Sequence, residues 1–299
     1  MTAPVGTPPA TAGPAVARPH RTAAAGPVSA VSVGQAALEA ASEGFAGRVA
    51  GVFRDGFYVS GPSETLFAVL GPRSWPGPLH LVVEDLAEPP ALHDRVSVSG
   101  DVLRAGRLQV RLDGGAPWAP HLPERLCAGL PAWRDLAVCA APELAAVWEP
   151  VTHDLRRWDP TAASRRLQGR GDGLTPSGDD VLAGILLVAA IDPSRRRALA
   201  ELAGNARTTR LSRAFLRWAA AGQSVQPAHT LLDAAASGDQ SGMRRAAASL
   251  AGAGATSGRA LAAGVALAAT ELARASTRRM GPRPNDVRRR SGDRPDAHS

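Results

Sequence analysis

The apolar residues of this chain change their period once, and that change limits the fold more than any other feature. From Gly47 to about Leu112 they come in runs of strand length: RVAGVF, FYVS, LFAVL, LHLVVE, RVSVSGDVL and GRLQVRL, punctuated by Gly and Pro. Arg54-Asp55-Gly56 and Arg104-Ala105-Gly106 carry hairpin-turn chemistry. From Pro131 onward the spacing becomes helical and predicts helices over 142–148, 158–168, 179–191, 194–204, 209–221, 227–236, 240–251 and 257–276. Strands first and helices after define an α+β chain: an N-terminal antiparallel β subdomain, sheet or barrel, then a mainly helical C-terminal subdomain. Helices 179–191 and 257–273 are apolar or small on nearly every face, which places both in the core.

The ends differ from the middle. Residues 1–30 are mostly Ala, Pro, Gly and Thr, and 278–299 are rich in Arg and Pro; neither stretch has the apolar surface to order itself. The expected organisation is a disordered arm over 1–30, a β-rich subdomain over 31–125, a helical subdomain over 126–277 and a disordered Arg-rich tail over 278–299. The tail inflates the formal charge of +7, and aromatics are only 4% of the chain, so no basic, aromatic-interleaved face for nucleic acid is expected. All 34 basic residues are Arg, which excludes a P-loop lysine, a Schiff base and a lysine general base. Cys127 and Cys139 form no C-x-x-C pair and read as buried free thiols in a reducing cytosol. No signal-like apolar segment leads the chain, and the longest apolar stretch, Val181–Ile191, is too short for a bilayer, so a soluble cytoplasmic protein is expected.

The segment Gly169–Asp180, GRGDGLTPSGDD, concentrates four glycines, two hydroxyls and three Asp in twelve residues. Glycines tolerate positive φ, so successive N–H groups can turn inward around an anion. Ser177 reads as the N-cap of a helix whose positive dipole end faces the loop, and Gly178 as the point where a ligand approaches the backbone. Asp179 and Asp180 project about 100° apart on that helix and so should differ in role. A well-capped helix needs one Ser and one Asp, not this density of Gly and hydroxyl groups.

Two further segments are candidates. Asn205-Ala206-Arg207-Thr208-Thr209-Arg210-Leu211-Ser212 offers forked Arg donors and a Thr cap for the helix 209–221. Gly254-Ala255-Thr256-Ser257-Gly258 is the other. Its Ser257 opens an echo of the first block: from Ser177 and from Ser257 both segments read S-G-x-x-φ-x-A-G-φ-x-L, with φ aliphatic. The Gly seven residues after each Ser lies on the same helix face, where it permits close helix contact. The His residues show no H-E-x-x-H spacing and G-x-S-x-G is absent, so no zinc site and no serine elbow are read, and each lone His reads as structural or solvated.

With these three blocks in order, residues 45–275 resemble the AllH-like third subunit of oxamate carbamoyltransferase. That family's pattern joins a G-x-G-L-T-P-S-G-D-D-x-L-x-G block (here Gly171–Gly184), a T-T-x-x-S segment (Thr208–Ser212) and a late G-[HA]-[TS]-S-G segment (Gly254–Gly258). The third block departs from the usual pattern, with Ala255 and Ala260 where many relatives carry His and a later Asp. The resemblance implies a carbamoyltransferase subunit that works with other subunits on oxamate and carbamoyl phosphate, or on oxalurate in reverse. It implies a small anionic substrate at Gly171, Gly173, Leu174, Thr175, Pro176, Ser177 and Gly178, bordered by Arg207, Thr208, Thr209, Ser212, Ser257 and Gly258, with Asp179 and Asp180 as the catalytic pair. The acidic pair leaves room for Mg2+ on a substrate phosphate; no other cofactor is called for. The reading from another class is a non-catalytic metabolite-binding or assembly subunit.

Overall fold

The computed structural model describes residues 26–127, 129–252 and 256–279. Most of the arm and tail expected to lack structure lies outside the described residues. At their inner edges, however, a strand begins at Val28 and the last helix runs to Arg279.

The β half comprises β1 (Val28–Val33), β2 (Phe45–Phe53), β3 (Gly56–Ser60), β4 (Leu66–Leu70), β5 (His80–Val83), β6 (Arg95–Ser99), β7 (Val102–Ala105), β8 (Leu108–Arg111) and β9 (Ala116–Pro117). Neighbours run β5-β4-β3-β2-β6-β7-β8-β1, and β1 pairs back onto β5, so the sheet closes into a barrel with β9 added beside β1. Closure removes the free edges that an open sheet would expose. Inside, Val49, Phe57, Val59, Phe67, Val69, Leu81, Val83, Val96, Val98, Leu103 and Val110 form one core.

The barrel is not wholly antiparallel, as the sequence had suggested. β4–β5, β1–β8 and β1–β9 are parallel, because these partners are joined by long connections rather than hairpins. The run RVSVSGDVL is not one strand either: Gly100, at φ 54°, turns it into the hairpin β6–β7. Both predicted hairpins form, with Phe53 opposite Gly56 and Ala105 opposite Leu108. Helix α1 (Gln35–Glu43), which the sequence reading missed, lays Ala36, Ala37 and Ala40 on the barrel.

The helical half comprises α2 (Pro131–Leu136), α3 (Ala145–Arg156), α4 (Pro160–Leu167), α5 (Ser177–Ala189), α6 (Arg196–Gly204), α7 (Arg210–Ala220), α8 (Gln226–Ser237), α9 (Gln240–Ala251) and α10 (Ser257–Arg279). Short α2 had not been expected. Helix α3 starts after a 3-10 turn at Pro142–Leu144 and continues through Pro150, a residue that reads as a helix end. Burial of Val151 and Leu155 offsets the backbone bond lost at the proline. Cys127 and Cys139 are free, as expected, but exposed rather than buried, since both lie on surface connections flanking α2. Among the described residues, no helix is long and apolar enough to cross a membrane.

Helix α5 is the centre of this half, with every residue from Val181 to Ala189 buried. Helix α10 crosses it at two glycines. A Cβ on Gly184 would stand 2.4 Å from the Leu261 carbonyl oxygen, and one on Gly264 would stand 2.0 Å from that of Val181. Leu261 and Val181 are themselves matching positions of the S-G-x-x-φ echo, so the contact is reciprocal. Helix α7 joins the halves: Leu216, Ala219 and Ala220 enter the helical core while Ala214, Phe215 and Trp218 lie against the barrel core. His80 and His229 are structural here. Half-buried His80 donates its Nδ1–H to the Trp75 carbonyl, and His229 Nε2 accepts the Ser224 N–H.

Because backbone has to move to admit a methyl at the crossing, Gly264→Ala is expected to destabilise the protein by about 3 kcal/mol or more. Gly204→Ala, where a Cβ meets nothing within 4 Å, should be neutral or stabilising by about 0.5–1 kcal/mol. Urea unfolding of the two variants beside wild type checks both.

Candidate functional site

The loop after α4 is shaped by glycines at φ values closed to other residues: Gly169 at 67°, Gly171 at 109° and Gly173 at 93°. It ends where three helices begin. Helix α5 starts at Ser177 directly after the loop. Thr209, the N-cap of α7, accepts the Ser212 N–H at 3.0 Å and donates its hydroxyl to the Leu174 carbonyl at 2.6 Å. Ser257, first residue of α10, shares a 2.9 Å hydrogen bond with the Thr175 hydroxyl. The positive dipole ends of α5, α7 and α10 therefore meet around Leu174–Ser177, a field that favours an anion.

Asp179 is the bracket of this arrangement. It is 1% exposed. Its Oδ1 accepts the Gly169 N–H at 2.8 Å and its Oδ2 accepts the Thr208 hydroxyl, so one side chain holds the loop, α5 and the turn before α7 together. Burial raises its pKa, opposed by the bonds from Thr208, Gly169 and Ser212. Gln168 adds a parallel tie, its Oε1 accepting the Arg207 N–H at 2.9 Å.

Asp180, the next residue, is in a different setting. Its Oδ2 is buried and has no hydrogen-bond partner. Burial pushes its pKa up to about 7; Ser257 opposes the shift and the Asp179 charge adds to it. Tyr58 of β3 lies within reach of the same charge: burial and then Asp180 raise the phenol's pKa. A carboxyl balanced near neutral pH can take or give a proton, or offer an O–H to a carbonyl or phosphate oxygen.

Residues of all three expected blocks meet here, Ser257 for the third, whose Gly254 and Ala255 lie outside the described residues, and several act differently from their sequence reading. Ser177 does not cap α5. Pro176 occupies the cap position, and the Ser177 hydroxyl donates to Glu143 Oε1 at 2.8 Å, because the 3-10 turn after Pro142 brings that carboxylate to the loop. Nor do the first N–H groups of α5 form an open nest: Gly178 N–H donates to the Arg170 carbonyl, and the N–H groups of Asp179 and Asp180 to that of Pro176. Gly178 is required for packing rather than for a ligand, since its Cβ would stand 2.1 Å from the Leu167 carbonyl oxygen. Thr208, Thr209 and Ser212 build the loop through Asp179 and Leu174, and Arg207 keeps an exposed side chain beside it. Gly258 is buried in the first turn of α10.

Arg210 points away from the loop. Its guanidinium donates to the carbonyls of Gly61 at 2.7 Å and Thr65 at 3.2 Å, which ties α7 to the β3–β4 turn. Glu143 and Tyr58 are the residues that sequence reasoning missed. Glu143 stands alone among apolar residues, and Tyr58 reads as an ordinary strand aromatic. For Mg2+, Asp180 Oδ2 offers a single unpaired ligand atom, so an ion there would depend on substrate oxygens. Among the described residues, no group of three or more His, Cys, Asp or Glu is placed to hold a metal. An open depression between α8 and α9, lined by Asp233, Asp239 and Arg245 among others, is separate from the loop.

The fold and site define an α+β protein in which a closed barrel is joined to a helical half carrying a glycine-shaped loop at convergent helix starts. Residues 167–269 match the family model of the oxamate carbamoyltransferase subunit AllH, so the loop and the helices from α5 to most of α10 are AllH-like. The match relates the chain to a carbamoyltransferase subunit and does not extend to the barrel. No curated protein and no solved structure matches the chain.

Asp179→Ala strands the Gly169 N–H and the Thr208 hydroxyl, so it should cost about 2–4 kcal/mol of stability. Hydrogen exchange should show 169–176 opening first. Full protection of the loop in this variant would remove the bracket from the account.

Proposed function

We propose that this chain is the AllH-type subunit of a carbamoyltransferase, and that its loop 169–180 holds a small anionic substrate of the oxamate, oxalurate or carbamoyl phosphate kind. The observation that carries the reading is the buried, unpartnered Oδ2 of Asp180 at the meeting point of three helix starts. Dipole ends favour the substrate's negative charge, and charge developing on phosphate and carbonyl oxygens in the reaction gains the same stabilisation. Asp180 supplies the proton chemistry. As the amide nitrogen of oxamate forms its bond to the carbamoyl carbon, the C–O bond to phosphate breaks and the phosphate departs with that electron pair. The amide proton passes to the Asp180 carboxylate; in the reverse direction the carboxylic acid returns it. Asp179, fully bonded, is a positioning residue.

The likeness to a carbamoyltransferase subunit supports partner chains. Leu174, 66% exposed on the loop itself, gives such a partner an apolar contact beside the site. The second reading, a binding or assembly subunit without chemistry, is favoured by Ala260. This residue is fully buried in α10 and has no charge to contribute where the resemblance leads one to expect Asp. Calorimetry of the isolated chain with phosphate, carbamoyl phosphate and oxamate, followed by turnover after adding partner subunits, separates the readings. Binding without turnover in the full assembly selects the second.

Asp180→Asn is expected to lower turnover by about 10²–10⁴ while the fold survives. The stability effect has a definite sign. A pKa raised from 3.8 to about 7 means the wild-type protein gives up stability as pH rises through that interval, whereas the Asn variant does not. At pH 8 the variant should therefore be the more stable by on the order of 1–2 kcal/mol. Equal pH profiles of unfolding for the two proteins would contradict the assignment.

A further inference from the structure

Away from the loop, the segment that leaves the barrel is stapled to the helical half by a closed run of hydrogen bonds. Trp118 follows β9. Its N–H donates to the Val33 carbonyl of β1 at 2.8 Å, and its indole Nε1–H donates at 3.1 Å to the carbonyl of Ser224, between α7 and α8. The Ser224 N–H donates to His229 Nε2 at 3.0 Å. His229 Nδ1–H donates to the His121 carbonyl at 3.2 Å, which returns the run to the segment where it began. The Trp118 and His229 rings meet edge to face with centroids 5.8 Å apart, and both Ser224 and His229 are buried. Beside them Gly222, at φ 84°, leaves room for Leu122, and the Gln226 N–H donates to the Pro76 carbonyl of the barrel half.

These partners leave His229 a single state. A backbone N–H only donates and a carbonyl only accepts, so Nε2 keeps its lone pair, Nδ1 keeps its hydrogen and the ring is neutral. A proton added at Nε2 would face the Ser224 N–H, donor against donor in a buried place. We propose that His229 is an acid-sensitive latch: neutral, it holds the exit segment 118–122 on the α7–α8 turn, and proton uptake at Nε2 releases that segment while the barrel and helical cores stay folded. Burial lowers the pKa of His229 from 6.5, opposed by the His121 carbonyl bond and the Asp233 carboxylate and reinforced by the His121 ring when charged. Asp233 on the same helix and His121 on the exit segment are the titratable groups acting on it among the described residues, and they lie 3.7 Å apart. With a folded pKa below 6.5, the latch contributes its full stability above that pH and loses it as pH falls through the folded value. His80, edge-on to Phe215 of α7, differs: the Trp75 carbonyl accepts its Nδ1–H whether the ring is neutral or charged. Acid thus frees the barrel exit at the C-terminal end of α7, while the N-terminal end keeps its bonds to the loop and to the β3–β4 turn.

In the full chain at about pH 8, imidazole nitrogen NMR should show His229 with its hydrogen on Nδ1; a ring carrying it on Nε2 overturns the latch. From about pH 8 to about pH 5, where imidazoles titrate, hydrogen-exchange protection of the Ser224 amide and the Trp118 indole should fall together by about tenfold or more. Amides of Val181–Ala189 in α5 and of β3 should keep their protection. Unchanged protection at Ser224 overturns the proposal, and so does loss across α5 at the same pH, which would mean that acid unfolds the whole chain. His229→Phe retains a ring but neither nitrogen, so Ser224 should be unprotected at both pH values, with no further acid step. An acid step of wild-type size in this variant assigns the trigger to another group, such as His80, and overturns the role of His229. Should the variant fail to fold, the tautomer and the wild-type exchange profile still decide.

Discussion

The crossing of α5 and α10 sets the rest of the structure in place. Side chains normally keep helices 8–10 Å apart, and only glycine at the contact lets backbone meet backbone. Here each helix offers one, Gly184 and Gly264, and each glycine faces a carbonyl at the matching position of its partner. Helices are stiff, so a crossing fixed this closely also fixes where they begin. Ser257 is thereby delivered next to Thr175 and Asp180, although it lies far along the sequence. The contact is bought without long-range charge; it is dispersion and close fit, sensitive to a single methyl group.

Two adjacent carboxylates show how environment divides roles. Successive helical residues diverge by about 100°, so Asp179 turns toward Gly169 and Thr208 while Asp180 turns toward Ser257. A helix N-terminus stabilises a carboxylate by only about 0.3–1 kcal/mol, equivalent to less than one pH unit. The rise of Asp180 to about 7 is larger and opposite in sign, which means desolvation decides. Asp179 is buried too, yet donors from Gly169, Thr208 and Ser212 satisfy its charge. One acid is consumed in holding the loop and the other is left available.

Helix α7 joins the barrel to the loop. One face enters the helical core, another lies against the barrel, and its first turn clamps the loop on one side and the β3–β4 turn on the other. The strained geometry of that turn, with Ser63 at φ 51° and Glu64 at φ 62°, places Glu64 beside Arg210 and Arg213. Docking is therefore polar at the rim and apolar between Phe215, Trp218 and the barrel core, a combination that fixes orientation as well as contact.

Much of this was legible from the chain alone. Period separates strands from helices because a strand alternates faces every residue and a helix every few, so the α+β order follows from local pattern. The Gly, Ser and Asp density of 169–180 marks the loop, and the repeated S-G-x-x-φ-x-A-G marks the glycine crossing, since both depend on backbone geometry that residue type dictates. Other features needed the tertiary structure. Ser177 has the chemistry of a cap, but a distant carboxylate, Glu143, took its hydroxyl. Gly178 looks open to a ligand, but the Leu167 carbonyl occupies the space. Barrel closure, with β1 between β5 and β8, rests on pairings between residues far apart in sequence. Above all, the sequence determined that there are two acids at the start of α5, while only the tertiary structure decided which one is satisfied and which keeps a buried oxygen without a partner. The physical reason is that a carboxylate's state depends on the donors and the solvent around it, and those come from elements the local sequence does not contain.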